Sequence, residues 1–371
     1  MKIRQEEQPF LQTDQLTNEL FSEDTVFFDI ETTGFSPRLS QLYLIGCATR
    51  NGDTLTIHQF FAEHMGEEEA ILQAFFEVLS SYRKIISYNG VGFDIPYLKG
   101  KCEQFGIAEP FDGLQYIDMF KSVSKIRHIL KLPDYKQKSI EHFLHLTRKD
   151  TYSGGELIPL YESYTRTTDE AQLALLLLHN YEDVTGMTRL LPILSYTRLF
   201  AEPERDLIHA SAKLHTKDSI SELAISASLR YALPQTFAVR IGQFQLSVTG
   251  DRLELTVPLT DDALKYFYPN YKDYYYLPLE DTAMHKSVAA YVDKTHRRQA
   301  TASTCYTRKK GLFLPQFDPG FQSPAFYKNY RDKISYFACI PSFTENDAAV
   351  SAYASHLLTH FGNRKSVLHD F

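Results

Sequence analysis

The sequence predicts an α/β fold with a mixed five-stranded β-sheet and flanking helices, followed by a smaller α+β domain. Three observations support this prediction. Short segments rich in β-branched and aromatic residues recur through the N-terminal third, segments with helical spacing separate the later ones, and turn residues stand at their ends. Three consecutive strands followed by alternating helices and strands are typical of a mixed sheet.

The five predicted strands are short and mostly apolar. They cover residues 25–31, 42–49, 55–60, 84–88 and 115–117. An Asn-Gly-Asp turn at residues 51–53 joins the second and third strands, which predicts a hairpin. The predicted sheet therefore begins with antiparallel strands and continues with strands that helices connect.

Three helices are predicted from apolar residues that recur on one face. In residues 67–82 this face carries Ile71, Phe75 and Leu79, after an acidic first turn. Residues 93–105 follow the fourth strand, and residues 169–191 form the longest helical pattern.

The composition changes after residue 200, so we predict domains at 1–200 and 201–371. Residues 237–241, 244–248 and 253–257 alternate apolar and polar side chains and predict a β-meander with a turn at 249–251. Residues 266–276 hold seven aromatic side chains, and residues 348–361 predict a helix.

Composition excludes several classes of protein. The chain has 371 residues, 43% of them hydrophobic and 23% charged, which is typical of a globular protein. The apolar run at 173–178 is too short to cross a bilayer, and the charged residues 1–8 do not resemble a signal peptide. The four cysteines are scattered, without metal-ligand spacing or a disulfide framework. We therefore expect a cytoplasmic protein that does not bind membranes.

Charge is unevenly distributed along the chain. The net charge is -7, yet residues 121–149 hold eight basic and two acidic side chains, and residues 286–333 hold ten basic and three acidic ones. Two basic tracts in an acidic protein are compatible with a polyanion that follows a defined path. Solvated helix faces or loops would give the same pattern.

Asp29 and Glu31 lie at the end of an apolar strand, where alternate residues share a face. Two buried carboxylates are costly unless a cation balances them, and Mg²⁺ prefers such oxygen ligands. Both could instead point into solvent at the strand end.

Two further acidic elements follow. Asp94 lies in the first turn of the second predicted helix, where an acidic residue is also common without any function. His179 and Asp183 are four residues apart on the longest helix and therefore share a face, which could equally be a solvated one.

Together these elements resemble the three motifs of DEDD exonucleases, which have a ribonuclease-H-like fold. The motifs are Asp-Ile-Glu-Thr-Thr-Gly at 29–34, Asn-(x)3-Phe-Asp at 89–94 and the His–Asp pair at 179–183. The second motif is similar to the proofreading exonuclease of family B DNA polymerases. The layout over residues 25–191 resembles the YprB-type ribonuclease-H-like proteins, in which a Ser-Gly loop like that at 153–156 precedes the last helix.

The resemblance implies roles for individual residues. Asp29, Glu31, Asp94 and Asp183 match the four acidic positions, so two divalent cations, Mg²⁺ or Mn²⁺, are expected as cofactors. It implies that Asp29 bridges the two ions, that Glu31 and Asp183 hold the ion on the nucleophile side, and that Asp94 acts partly through water. Two such ions activate water and stabilise the leaving oxygen of a phosphodiester.

The third motif departs from the family pattern. His179 stands four residues before Asp183, which is the spacing of the tyrosine branch, whereas the histidine branch uses five. Histidine can still orient the water or accept its proton, so His179 is expected to be catalytic in one of these two roles. Four positions are expected to contact the substrate, although Phe93 could be a core residue and the threonines could close a turn. They are Thr32, Thr33, Asn89 and Phe93.

The expected activity is metal-dependent hydrolysis of nucleic-acid phosphodiesters. By resemblance it is 3′→5′ exonuclease action on single-stranded DNA or RNA ends. Two alternatives stay open: a non-catalytic nucleic-acid-binding or regulatory protein that keeps the fold, and a structure-selective endonuclease. All four carboxylates are present, which counts against the first alternative.

Overall fold

The protein is described by a computed structural model that covers residues 1–11, 14–217 and 220–363. The chain divides into two compact units, Met1–Thr197 and Arg198–Phe371. In the described residues, no helix is long and apolar enough to cross a membrane.

The first unit contains a six-stranded mixed sheet with the spatial order β1-β4-β3-β2-β5-β6. Its strands are β1 (Lys2–Pro9), β2 (Thr25–Thr32), β3 (Leu42–Asn51), β4 (Thr54–Phe61), β5 (Lys84–Ser87) and β6 (Gln115–Asp118). Strands β1 to β4 pair antiparallel, while β5 pairs parallel with both β2 and β6. The predicted mixed α/β architecture is confirmed.

The sheet has one strand more than the five predicted. Strand β1 lies at the edge and pairs with β4 along its whole length, from Lys2 opposite Phe61 to Pro9 opposite Thr54. Its charged, mostly exposed side chains carry no apolar alternation. Backbone pairing with β4 therefore decides its conformation, and the sequence pattern does not predict it.

In the described residues, nine helices begin in the first unit, and the last of them continues past the boundary of that unit at Thr197. They are α1 (Gln15–Leu20), α2 (Glu68–Leu79), α3 (Asp94–Phe105), α4 (Met119–Ser124), α5 (Arg127–Leu130), α6 (Gln137–Phe143), α7 (Gly154–Thr167), α8 (Glu170–Leu190) and α9 (Leu194–Ala201). Short 3₁₀ turns lie at Met65–Glu67 and Leu191–Ile193.

Two apolar clusters show how the faces are used. Val26, Phe28 and Ile30 of β2 pack in one cluster with residues of α2 and α3. On the opposite face, Tyr43 and other residues of β3 and β4 pack with α7 and α8. Because side chains alternate along a strand, Asp29 and Glu31 point away from the first cluster, toward the face that α8 contacts.

The second unit is α+β and rich in strands. A five-stranded sheet has the order β7-β8-β11-β10-β9, and two three-stranded sheets have the orders β12-β16-β17 and β14-β13-β15. The strands are β7 (Leu207–Lys217), β8 (Ile220–Leu229), β9 (Phe237–Ile241), β10 (Phe244–Thr249), β11 (Arg252–Pro258), β12 (Thr260–Phe267), β13 (Tyr274–Leu277), β14 (Thr282–His285), β15 (Arg298–Gln299), β16 (Tyr306–Gln316) and β17 (Ser335–Ala338). The meander predicted at 237–257 forms β9, β10 and β11.

The helices of the second unit are few in the described residues. They are α10 (Pro203–Asp206), α11 (Lys286–Ala289), α12 (Pro341–Thr344) and α13 (Asp347–Gly362), with 3₁₀ turns at Tyr271–Asp273 and Lys294–His296. Helix α13 corresponds to the helix predicted at 348–361 and packs against β7.

Candidate metal and active site

The centre of the candidate site is the end of β2. Glu31 is buried there, and the β2–β3 register shifts between Glu31 and Thr32. Tyr43 of β3 is the residue without a partner at this shift, and the β2 side chains on either side of Ile30 share one face. The strand therefore delivers two carboxylates, from Asp29 and Glu31, to the face that α8 contacts.

Asp94 reaches the same place from the start of α3. Its Oδ1 accepts a hydrogen bond from the Ile30 backbone N–H at 3.2 Å, between the two β2 carboxylates. The turn before α3 is held by Asp118, whose carboxylate accepts the Asn89 and Val91 N–H groups at 3.2 Å each. Asn89 has a φ of 67°, a left-handed conformation that asparagine tolerates better than most residues.

His179 and Asp183 approach from α8, one helical turn apart. The buried His179 places Nε2 3.2 Å from Asp183 Oδ2 and 3.5 Å from Glu31 Oε1. Its Nδ1 lies 2.8 Å from Asp150 Oδ2. The structure thus brings together all five residues predicted as catalytic; their individual roles stay predictions.

Asn180 fixes α8 over the sheet. Asp29, Gly46 and Gln59 lie side by side on β2, β3 and β4. The Asn180 amide donates to Asp29 Oδ2 at 3.2 Å, and its oxygen accepts from Gln59 Nε2 at 3.1 Å. Gln59 also donates to the Leu177 carbonyl at 2.8 Å. Glycine at position 46 leaves the space in which the Asn180 amide lies.

We expect Gly46→Ala to destabilise the first unit by about 1–3 kcal/mol, because overpacking a close contact forces neighbouring atoms to move. A Cβ at Gly46 would lie 2.0 Å from Asn180 Oδ1. The free energy of unfolding, from urea titrations, measures the effect. Gly155→Ala is the matched control, since a Cβ there meets nothing within 4 Å. Equal stability of both variants and the wild type would contradict this account of Gly46.

Arg148 joins the acidic residues behind the site. Its Nη1 donates to Asp183 Oδ1 at 2.7 Å and to Glu141 Oε2 at 3.1 Å, and its Nη2 donates to Asp150 Oδ2 at 3.2 Å. Asp150 also accepts from Lys138 Nζ at 3.0 Å. Asp150 and Arg148 therefore fix the orientations of His179 and Asp183.

The direction of the pKa shift distinguishes the carboxyl groups at the centre of the site from that of Asp150 behind it. Burial, reinforced by Asp94 and Glu31, raises the pKa of Asp29 well above its usual range. Burial and Asp183 do the same to the pKa of Glu31. Burial raises the pKa of Asp94 to about 7, against the effect of the Ile30 N–H. Burial also acts on Asp150, but His179 and Lys138 outweigh it and lower its pKa.

This arrangement fits divalent cations. One ligand atom each from Glu31, His179 and Asp183 lie within 4.8 Å of one another. In the described residues, no Lys or Arg pairs with Asp29, Glu31 or Asp94. Clustered carboxylates without a balancing cation have raised pKa values, and a bound divalent ion would relieve that cost.

The raised pKa values predict an unusual pH dependence of stability when a chelator is present. A folded-state pKa of about 7 for Asp94 means that the folded protein retains a proton that the unfolded chain releases near pH 4. Its contribution to stability therefore falls as the pH rises from about 4 to about 7 and then levels off. We expect a loss on the order of 1–4 kcal/mol relative to Asp94→Asn.

Chemical denaturation across this pH range, with EDTA present, measures the difference between the wild type and Asp94→Asn. Adding Mn²⁺ at about pH 8 should restore the stability of the wild type, because the ion binds the ionised carboxylates. A wild-type profile parallel to that of Asp94→Asn would contradict the raised pKa.

The four residues predicted to bind substrate lie around the ends of β2 and β5. The Thr32 hydroxyl donates to the Gly34 carbonyl at 2.8 Å, and the Thr33 hydroxyl accepts the Gln41 N–H at 2.9 Å. Both threonines thus close the turn after β2. Substrate contact by these threonines and by Asn89 stays a prediction.

Phe93 is half-buried against the core of α2 and α3, and it also meets an exposed ring. The Phe35 ring, 91% exposed, lies edge-on to it with 6.0 Å between centroids. Sequence reasoning did not single out Phe35. Its position directly after the motif Asp-Ile-Glu-Thr-Thr-Gly is the signal that could have found it.

Several other residues of the site were missing from the sequence analysis. They are Gly46, Asp118, Arg148, Asp150 and Asn180. Arg148 was counted only as part of the basic tract at 121–149, and Asp150 was not singled out. Asn180 adjoins His179 in the third motif, so a polar residue on a buried helix face was the available signal. The Ser-Gly motif at 153–156 begins α7 with a capping box, one helix before α8.

Comparison with known proteins gives a family match for the first unit. A family model described as the RNase_H superfamily matches residues 26–195, a little under half of the chain. The predicted ribonuclease-H-like fold agrees with this match and with the mixed sheet. No curated protein sequence matches the chain.

Among solved structures, the chain is similar to the family B DNA polymerase from the hyperthermophilic archaeon Pyrobaculum calidifontis. The identity is 17% and the TM-score is 0.38, over 48% of this chain and 26% of the polymerase chain. The similarity thus spans about a quarter of the polymerase's length.

Proposed function

We propose that the protein hydrolyses nucleic-acid phosphodiesters with divalent cations, as a 3′→5′ exonuclease acting on single-stranded ends. One observation carries the proposal. Asp29, Glu31, Asp94 and Asp183 converge from three separate elements on one place, with His179 beside them; Glu31 and Asp94 are buried there, and Asp29 and Asp183 are half-buried. Such a cluster of carboxylates destabilises the folded protein when no cation is bound, and groups with strongly shifted pKa values are typical of functional sites.

Asp29, Glu31, Asp94 and Asp183 would hold Mg²⁺ or Mn²⁺, the ions suited to carboxylate oxygens. Bound divalent cations supply the positive charge that a phosphodiester requires before water attacks it. One oxygen of the Asp29 carboxylate accepts a hydrogen bond from the Asn180 amide, which orients the carboxylate. The Asp94 carboxylate is oriented in the same way by the Ile30 N–H.

His179 is the proposed general base, and Asp150 is its positioning partner. The Asp150 carboxylate lies 2.8 Å from His179 Nδ1 and favours a proton on that nitrogen. Nε2, which lies 3.2 Å from Asp183 Oδ2, would exchange that contact for a water molecule next to Glu31 and Asp183 and accept its proton. Histidine is the side chain that most often serves as a general base.

Action on single-stranded ends is supported by the exposed aromatic residue next to the site. Unpaired bases stack on aromatic rings, whereas the bases of a duplex are already stacked on one another. Phe35 offers such a ring, and its contact with Phe93 ties it to the turn before Asp94. The 3′→5′ polarity rests on the family resemblance of the motifs.

End-labelled single-stranded DNA and RNA, incubated with Mg²⁺ or Mn²⁺, test the proposal. A 5′ label that yields a ladder of shortened products, absent with EDTA, would support 3′→5′ exonuclease action. Internal cleavage of a circular single strand would instead indicate an endonuclease. Binding of both polymers without any cleavage would indicate a non-catalytic nucleic-acid-binding protein and contradict the proposal.

A further inference from the structure

A cluster of basic and aromatic side chains lies in the second unit, around β13. Two cations converge there on one ring: Lys286 Nζ is 5.4 Å and the Arg297 guanidinium carbon 4.9 Å from the Tyr275 ring centroid. We use the name Tyr275 surface for Tyr275, Lys286 and Arg297 together with the exposed residues Tyr291 and Lys294, which lie between Lys286 and Arg297 along the chain. Helix α11, which begins at Lys286, packs against β13 and β14.

The cations of the Tyr275 surface are only partly balanced, since in the described residues Asp293 interacts electrostatically with Arg297. Within the described residues, neither Lys286 nor Arg297 forms an ion pair, and the nearby Asp293 uses its carboxylate on the Thr295 N–H and hydroxyl. Cation–ring contacts and one backbone hydrogen bond, from Arg297 to the Ala289 carbonyl, hold them in place. Two like charges beside one ring repel each other, so an anion between them would be stabilising.

The opposite face of β13 shows what a balanced cluster looks like. There Arg308 pairs with Asp281, which also accepts hydrogen bonds from the Tyr276 and Tyr306 hydroxyls. Tyr276 and Tyr306 are buried. In this cluster the charge of Arg308 is balanced by Asp281, and the cluster therefore has a structural explanation. Within the described residues, the cations of the Tyr275 surface form no such ion pair.

The rest of the basic tract continues this imbalance. Residues 286–333 contain three acidic side chains, at Asp293, Asp318 and Asp332. Asp318 accepts the Gly320 N–H and Asp332 the Asn329 N–H, so all three are used in local turns. The ten basic side chains of the tract outnumber these three, so the tract keeps a positive potential that attracts an anionic partner.

An exposed aromatic residue in the same segment of the chain points to the class of partner. Tyr291 follows α11 and is 93% exposed, while Lys294 is exposed three residues later. An anion with unsaturated rings would use both the cations and the aromatic face. Single-stranded nucleic acid has both, since its bases are free to stack on tyrosine or on a guanidinium plane. A duplex would use the cations alone.

We propose that the Tyr275 surface binds single-stranded nucleic acid, with Lys286, Lys294 and Arg297 contacting phosphates and Tyr291 stacking on a base. This binding goes beyond the proposed hydrolytic site and does not depend on it. It gives the second unit a function that does not require metal.

Fluorescence anisotropy of the full chain with labelled single-stranded DNA and RNA, in EDTA, tests the proposal independently of hydrolysis. The Lys286→Gln, Arg297→Gln double variant should bind about tenfold or more weakly at about 50 mM salt, and its salt slope should fall by about two. Arg240→Gln, Arg252→Gln is the matched control, because both residues are exposed on the five-stranded sheet of the same unit. Its affinity should stay within about twofold of wild type.

Tyr291→Ala tests the stacking contact. We expect about fivefold or weaker binding of single strands with unchanged binding of a duplex, because stacking acts only on unpaired bases. Circular dichroism melting shows whether each variant stays folded. Binding of the Lys286→Gln, Arg297→Gln variant at wild-type affinity and salt slope would overturn the proposal. So would an equal loss for single strands and duplex in Tyr291→Ala, or no binding of either polymer by the wild type.

Discussion

Asp29→Asn is expected to lower the rate of nucleic-acid hydrolysis by about a thousandfold or more. The variant loses the charge stabilisation that bound metal ions provide, which raises the activation free energy by several kcal/mol. Asparagine keeps the shape of the side chain, and its oxygen can still accept the hydrogen bond from Asn180 Nδ2 that Asp29 accepts. The fold should therefore survive.

The same substitution also removes one charge from a buried acidic cluster. Burial and neighbouring carboxylates disfavour the ionised form of Asp29, as its raised pKa reflects. With EDTA present, the variant should accordingly be at least as stable as the wild type. This combination of lost activity and retained stability separates a metal ligand from a structural residue.

Rates on end-labelled single strands, with Mn²⁺ binding followed by calorimetry, measure the effect. Asp112→Asn is the matched control, since Asp112 is exposed in the turn before β6. Hydrolysis by Asp29→Asn at a rate close to wild type would place the metal site elsewhere.

His179→Gln should be the second most damaging change, with a rate reduction of about 10²–10⁴, the range for loss of a general base. Glutamine is close to histidine in size and can still interact with Asp150. If His179 accepts the proton, the pH–rate profile of the variant should differ from that of the wild type. Its affinity for Mn²⁺ should change by less than about tenfold, since no ligand is removed.

The Mn²⁺ affinity of the His179→Gln variant decides whether His179 is a general base or a metal ligand. Nε2 lies near Glu31 and Asp183, so it could also serve as a ligand. A parallel loss of Mn²⁺ binding and activity in His179→Gln would identify it as a ligand and would contradict the role of general base. His142→Gln is the control, because His142 is exposed on α6.

Asp150→Asn provides a graded comparison in the same assay. It should reduce the rate by about 10–100-fold, as is usual for a residue that orients a functional histidine. Adding it to His179→Gln should have little further effect, because the two residues act as one unit.

The sequence contained most of the information about the helices and strands around the site. Strand β2, helix α3 and helix α8 lie within one or two residues of their predicted ranges, because each has a strong apolar period and clear end signals. Strand β1 was missed since its side chains are mostly exposed and charged, and its conformation comes from pairing with β4.

The candidate site was less predictable from residue patterns. Spacing places Asp29 with Glu31 and His179 with Asp183, but only family resemblance joined the two pairs and Asp94. Asp150 and Arg148 were invisible because their partners lie about thirty residues away along the chain. No local pattern distinguishes such a contact from a solvated charge.

By itself, the sequence determined the alternation of strands and helices and the identity of the acidic residues, since these depend on local propensity and on the periodicity of side chains. The tertiary structure alone decided that Asn180 lies over Gly46, that Asp150 orients His179, and that Lys286 and Arg297 converge on Tyr275. These contacts depend on how separate elements pack, and packing depends on the whole chain at once.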